Sequence, residues 1–246
     1  NTQLLRYWES VIVILLVILI HMSKVKQAQK SIFWPFIVSS GVSSVLFLYR
    51  VFSSHSNNYW YLNWNLFLGW LPLLFSYWLV RWLRRKSWFS IKGVLLTTLW
   101  LGFLPNSFYL VTDFVHLTPT HEISLLFDAV MFMTFAWNGL LLGFTSVYMI
   151  HKELRKRLPE KISTSFVACT LVLSSFAIYL GRYLTWNTWD LVVNPGGILL
   201  DISDRIVKPT AYPNTFTVTI LFSFVLMSLY YAVYKLISVI KSSSNN

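Results

Sequence analysis

The stretch LPNSFYLVTDFVHL, residues 104–117, interrupts an apolar run that is otherwise long enough to cross a lipid bilayer. It places a proline and an amide inside that run, and a carboxylate and an imidazole just beyond it. If the helix continues past the proline, four polar side chains share one helical face at spacings of 3, 4 and 3: Asn106, Tyr109, Asp113 and His116. The stretch therefore predicts a membrane helix with a polar face near one end.

Pro105 predicts a kink in this helix, because proline lacks a backbone donor and leaves a carbonyl one turn earlier without its partner. A freed carbonyl inside a membrane must find another donor, so the kink should face protein or water. Two interpretations follow. The kink is either purely structural, with Asn106 satisfied locally, or the base of a polar site.

Composition indicates an all-α membrane protein. Of the 246 residues, 56% are hydrophobic and 12% are charged, and the charged fraction is about half that of an average soluble protein. Windows of ~20 mainly apolar residues predict about seven transmembrane helices in one domain, residues 1–246. The predicted spans are 8–23, 31–49, 59–82, 91–112, 124–150, 163–181 and 214–236.

The distribution of charge predicts the orientation. The net charge of +11 does not indicate nucleic-acid binding, because the basic residues cluster in short connections between apolar runs. Of the 20 Lys and Arg residues, 15 fall on one side of the predicted spans. This bias predicts an external N-terminus and a cytoplasmic C-terminus in a multi-pass plasma-membrane protein. All five aspartates then lie on the external side.

The longest connection, 182–213, carries a second polar cluster. Arg182, Trp186 and Trp189 recur at helical spacing, as do Asn187 and Asp190, which predicts a short helix lying at the membrane interface. The alternative is an interfacial anchor without a site. The later run Asn194–Gly197 has the composition of a turn. Three carboxylates could neutralise Arg182: Asp113, Asp128 and Asp190.

These patterns give one candidate external site, consisting of Asn65, Asn106, Tyr109, Asp113, His116, Asp128, Arg182, Asn187 and Asp190. Metal binding is a weak variant, because zinc requires three or four fixed ligands and the chain has no zinc signature. The weak candidate ligands are Asp113, His116 and His121, with Glu122 and Asp128 nearby. The sequence identifies no cofactor.

Elsewhere, Asn138 is expected to bridge neighbouring helices by hydrogen bonds. Beside it, Gly139 and Gly143 form a small-x-x-x-small pair that indicates close helix contact.

Four motifs together resemble a bacterial integral membrane family of unknown function, domain-of-unknown-function family 1361. They are WNLFLGWLPL (64–73), LPNSFYLVTDFVHL (104–117), FDAVMF (127–132) and RYLTWNTWDL (182–191). The chain departs from the usual family pattern at Ser107-Phe108, where Ala-Pro is frequent, and at Thr185, where Arg is frequent. The resemblance implies a multi-pass membrane fold and location, but no established activity or catalytic residues.

Three functions are compatible with the sequence. The chain is a non-catalytic subunit that stabilises or regulates a membrane partner, an enzyme or lipid-headgroup-handling protein with an external polar site, or a small-solute transporter. Its partners are then the bilayer together with anionic lipid headgroups or another membrane protein. The broken helix is typical of transporters, but the polar residues are concentrated on one side of the membrane.

Overall fold

A computed structural model of the chain describes residues 27–120 and 122–243. These residues form helices and no strand, and six helices are long and apolar enough to cross a membrane. The predicted all-α, multi-span architecture is confirmed to this extent. The first predicted span, 8–23, lies outside the described residues, and the orientation stays a prediction.

The α-helices, in chain order, are α1 (Gln27–Ser54), α2 (Tyr61–Leu83), α3 (Ile91–Tyr109), α4 (Leu125–Leu154), α5 (Glu160–Leu184), α6 (Asp190–Val193), α7 (Pro195–Val207) and α8 (Pro213–Ser243). Two 3-10 segments, Leu110–His116 and Pro209–Ala211, join α3 to the next connection and α7 to α8. The six long helices coincide with the predicted spans from 31–49 to 214–236, apart from differences at their ends.

Helices α2, α3 and α4 pack against one another at the centre, with α1 against α4 and α5 between α3 and α8. The spanning window of α2 is 56% buried, whereas those of α1 and α8 are 22% and 17% buried. Among the described helices, α1 and α8 therefore leave the largest share of their spanning windows unburied.

Two glycines bring α4 close to α3. A Cβ on Gly139 would lie 2.2 Å from the backbone oxygen of Ser107, and a Cβ on Gly143 would lie 2.6 Å from the Phe108 ring. Because neither position has room for a side chain, the helices approach at backbone distance, as the small-x-x-x-small pair indicates.

Polar caps begin several helices. Ser90 and Ser124 each accept a backbone N–H three residues later, at the starts of α3 and α4. Helix α3 continues through Pro105 to Tyr109 and then tightens into the 3-10 segment. The kink at Pro105 stays a prediction.

The connection after the sixth predicted span differs from expectation. Helix α5 extends to Leu184, so Arg182 lies in its last turn, and Thr185 then takes a left-handed conformation with φ 59°. The helix expected from the spacing of Arg182, Trp186 and Trp189 is therefore interrupted, because a left-handed residue ends a helix, and a short helix begins only at Asp190. The turn predicted at Asn194–Gly197 is wrong. Asn194 caps α7 and Pro195 occupies its first position, an arrangement with the same composition as a turn.

Candidate functional site

A pocket of about 310 Å³ lies where the start of α2, the end of α3 and the end of α5 meet. The connection after α5 forms its outer wall. The lining residues are Tyr61, Trp64, Asn65, Leu68, Gly102, Pro105, Asn106, Tyr109, Asp113, His116, Ala177, Leu180, Gly181, Arg182, Trp186, Asn187, Thr188, Leu191 and Ile198.

An ion pair joins α5 to the 3-10 segment Leu110–His116 among the polar residues that line the pocket. Arg182 Nη2 is 2.7 Å from Asp113 Oδ1, and the Asp113 side chain is only 1% exposed. Asn65 donates to the other carboxylate oxygen at 3.0 Å. Thr112 Oγ1 accepts from Arg182 Nε at 3.0 Å and from Nη2 at 2.6 Å. Both Asp113 oxygens are thus satisfied, and three segments are joined through one carboxylate.

The same guanidinium contacts His116. Arg182 Nη1 lies 2.6 Å from His116 Nε2. Arginine can only donate, so Nε2 is the acceptor in this contact, and that ring nitrogen is already occupied.

Aromatic rings position these polar groups. The Arg182 guanidinium carbon lies 4.2 Å from the centre of the Tyr109 ring, a cation–π contact. This approach is possible because residue 181 is glycine, where a Cβ would lie 3.0 Å from the Tyr109 ring. Tyr61 meets the His116 ring edge-on at 5.5 Å. The two tyrosines thereby hold the arginine and the histidine in place.

Asn106 connects α3 to the outer wall. Its amide nitrogen donates to the Phe103 carbonyl at 3.1 Å and to Thr188 Oγ1 at 2.9 Å. Both amide hydrogens are therefore used, and the side-chain carbonyl is the remaining polar atom. Asn106 combines the two roles considered from the sequence, since it is satisfied locally and also lines the pocket.

The outer wall is held by a short chain of contacts through Asp201. Trp186 Nε1 donates to Asp201 Oδ2 at 2.7 Å, and Arg205 Nη1 is 3.1 Å from Asp201 Oδ1. Gly197 accommodates Trp186, because a Cβ there would lie 2.9 Å from the indole. Helix α7 is thus fastened to the loop that covers the pocket.

The pocket brings together seven of the nine residues predicted from sequence: Asn65, Asn106, Tyr109, Asp113, His116, Arg182 and Asn187. Asp128 lies elsewhere, paired with Arg50. Asp190 accepts from the backbone N–H of Asn187 at 2.7 Å and does not line the pocket. Of the three carboxylates considered for Arg182, the structure pairs it with Asp113.

No group of three His, Cys, Asp or Glu side chains in residues 27–120 and 122–243 is arranged to hold a metal ion. His121, one of the weak metal candidates, lies outside the described residues.

The sequence pattern missed several residues of the site: Trp64 and Thr188, which line the pocket, and Thr112, which accepts from Arg182. They carry no special spacing in the sequence, and their roles come from packing between segments distant in the chain. It also missed Arg50 as the partner of Asp128, although both are ionisable groups near the same end of membrane spans. Asn138 was expected to bridge helices, and its amide nitrogen donates to Ser43 Oγ at 2.9 Å, which joins α4 to α1.

Comparison with known proteins places the chain in a family but gives no activity. No curated protein and no solved structure matches the chain. The sequence model described as "Protein of unknown function (DUF1361)" matches residues 64–229, which contain all the pocket residues except Tyr61. The resemblance seen in the four motifs is therefore confirmed, and the chain belongs to the DUF1361 family of proteins of unknown function.

Proposed function

We propose that this protein binds an amphipathic molecule, a lipid or a lipid-linked compound, with its polar head in the pocket and its apolar part between the membrane spans. The observation that carries this proposal is the change in lining with depth. On α2, α3 and α5 the polar and aromatic lining residues lie toward the outer end, alongside Pro105, Leu180 and Gly181, whereas the deepest lining residues are Leu68, Gly102 and Ala177. One helical turn corresponds to about 5 Å, so the polar lining does not continue deeper between the spans.

The outer wall gives the same indication. Helix α7 exposes an apolar face outward, on Leu199, Leu200, Ile206 and Val207, which are between 65% and 73% exposed. Its opposite side carries the buried Ile198 and Arg205. A helix with apolar residues outward and polar residues toward the protein suits the interfacial layer of a membrane. Such a position would give lipid direct access to the pocket.

The engaged state of the polar groups favours binding over chemistry. Both oxygens of Asp113 accept hydrogen bonds, and His116 Nε2 accepts from Arg182. A general base must lie within hydrogen-bond reach of the substrate proton, and here the Asp113 carboxylate and His116 Nε2 already hold contacts inside the protein. Enzymatic activity, transport of a small solute and service as a non-catalytic subunit remain the alternatives.

The basic bias of the connections supports a plasma-membrane location with the pocket on the external side. Basic residues such as Arg81, Lys92 and Lys152 lie at the end of the spans opposite the pocket. The proposal is therefore an external lipid-binding site in a multi-pass bacterial membrane protein.

The test fills the pocket without disturbing the fold. A Cβ on Gly102 would meet no atom within 4 Å, so Gly102→Phe should enter the pocket at little structural cost. Gly41 in α1 is equally open and lies away from the pocket, so Gly41→Phe is the matched control. Both variants are purified and their co-purifying molecules are identified by mass spectrometry.

We expect a tightly held lipid with the original protein and with Gly41→Phe, and its loss from Gly102→Phe at unchanged melting temperature. Equal lipid in both variants would contradict the proposal. A stoichiometric membrane protein in place of a lipid would favour the subunit function instead.

A further inference from the structure

The cations at the pocket end of the bundle are already neutralised. Among the described residues, each of the four at this end has a carboxylate oxygen within 3.4 Å: the pairs are Arg182–Asp113, Arg50–Asp128, Arg205–Asp201 and Lys208–Asp204. The Arg182 and Asp113 side chains that line the pocket therefore neutralise each other. An anionic headgroup would meet an arginine whose charge Asp113 already neutralises, and displacing that buried carboxylate from Arg182 is unfavourable.

Asn106 adds a requirement on the ligand. Its two amide hydrogens are committed to the Phe103 carbonyl and to Thr188. The contact with a backbone carbonyl fixes the direction of the amide, because a carbonyl cannot donate. The Asn106 side-chain oxygen is therefore an acceptor in the pocket wall. An ionised phosphate or carboxylate offers it no hydrogen, whereas a hydroxyl does.

The neighbouring groups supply donors. Thr188 Oγ1 accepts from Asn106, which leaves its own hydrogen available. Asn187 uses one amide hydrogen for the Thr185 carbonyl and keeps the other. The Tyr61 hydroxyl is buried and has no hydrogen-bond partner among the described residues. The lining thus contains both donors and acceptors, together with the flat indoles of Trp64 and Trp186.

We propose that the pocket takes an uncharged polyhydroxyl headgroup, the sugar of a glycolipid. This inference rests on the proposed binding of an amphipathic ligand and names its chemical class. Sugar hydroxyls both donate and accept, which matches the mixed lining, and the C–H faces of the ring pack against indoles. The pocket volume of 310 Å³ equals about ten times the share of one water molecule in the liquid, which suits one small headgroup.

The test compares headgroups on constant acyl chains. The intact protein, in a polyoxyethylene detergent that carries neither sugar nor charge, is titrated with glucosyl-diacylglycerol, phosphatidic acid or unsubstituted diacylglycerol. Methyl glucoside tests whether the sugar binds without acyl chains. Binding is measured by native mass spectrometry and by the shift in melting temperature. We expect the glucosyl lipid to bind saturably and at least tenfold more tightly than each of the others.

Each alternative result has a distinct meaning. Tighter binding of phosphatidic acid, or equal binding of diacylglycerol, would overturn the sugar headgroup and leave the proposed function standing. Methyl glucoside binding as tightly as the glucosyl lipid would support the headgroup chemistry and overturn the amphipathic function. Binding of none of the four would overturn both.

A single hydroxyl deletion checks that the binding occurs in this pocket. Thr188→Val should weaken binding of the glucosyl lipid about fivefold, the effect of one neutral hydrogen bond. Thr217→Val is the matched control, because Thr217 is exposed on α8 and bonds only within its own helix. Equal affinities of these two variants would contradict the assignment to this pocket.

Discussion

Arg50 and Asp128 form an ion pair that is wholly shielded from solvent. Arg50 Nε lies 2.9 Å from Asp128 Oδ1, and both side chains are 0% exposed. Arg50 also stacks over the Tyr59 ring, with 4.5 Å between its guanidinium carbon and the ring centre. The pair joins α1 to α4 near the same end of the bundle as the pocket. Asp128, which the sequence analysis considered as a partner of Arg182, is therefore the partner of Arg50 instead.

Breaking this pair should destabilise the protein strongly. Removing one partner of a buried ion pair costs about 3–5 kcal/mol, so Arg50→Met should lower the melting temperature in detergent. The double variant Arg50→Met, Asp128→Leu should recover much of the loss. The exposed pair of Arg155 and Glu160 is the control, and Glu160→Gln should change stability by no more than about 1 kcal/mol. Equal losses from Arg50→Met and Glu160→Gln would contradict this prediction.

The pocket ion pair should also show compensation. Arg182→Ala leaves the buried Asp113 carboxylate without its cation and should lower the melting temperature. Adding Asp113→Asn removes the uncompensated charge, so part of the stability should return. Adding Asp190→Asn should restore nothing, because Asp190 bonds to the Asn187 backbone instead. Recovery with Asp190→Asn and none with Asp113→Asn would show that the pairing is wrong.

Close packing of α3 on α4 should depend on the absence of a side chain at residue 139. Gly139→Ala places a methyl 2.2 Å from the Ser107 carbonyl oxygen, and such overpacking costs about 1–3 kcal/mol. Gly102→Ala meets no atom within 4 Å and should leave the melting temperature unchanged or slightly higher. Equal melting temperatures of Gly139→Ala and Gly102→Ala would contradict this prediction.

The orientation can be measured with single cysteines in intact cells, after Cys169 is replaced. Thr118→Cys should react with a membrane-impermeant thiol reagent, and Ser87→Cys should not, because the basic bias places Ser87 in the cytoplasm. Both original residues are exposed, so burial does not limit either reaction. Labelling of Ser87→Cys alone would reverse the orientation and place the pocket on the cytoplasmic side.

The sequence predicted the spanning helices well because their signal is local. Apolar runs of sufficient length predict a helix without knowledge of its neighbours, and six of the seven predicted spans are long helices in the structure. The connection after Arg182 was harder to predict. Thr185 adopts a left-handed conformation that threonine rarely takes, and the helix start at Asn194 resembles a turn in composition.

The part of the candidate site that lies within one segment could be predicted from the regular spacing of its residues. The spacings from Asn106 to His116 assume a continuous α-helix, yet the chain tightens to a 3-10 helix at Leu110. The four residues still line one pocket, because the step from Asp113 to His116 is three residues, one full turn of a 3-10 helix. Contributions from distant segments, such as Thr188 and Trp64, depend on tertiary packing and leave no periodic signal.

The Arg50–Asp128 pair also bears on how much of the chain behaves as an autonomous unit. The family match begins at residue 64, so it includes Asp128 but excludes all of α1. A fragment trimmed to the matched residues would keep a carboxylate at membrane depth and discard its counter-ion, and it would also lose the Ser43 hydroxyl that receives Asn138. The boundary recognised by sequence similarity therefore cuts through the packing of α1 on α4.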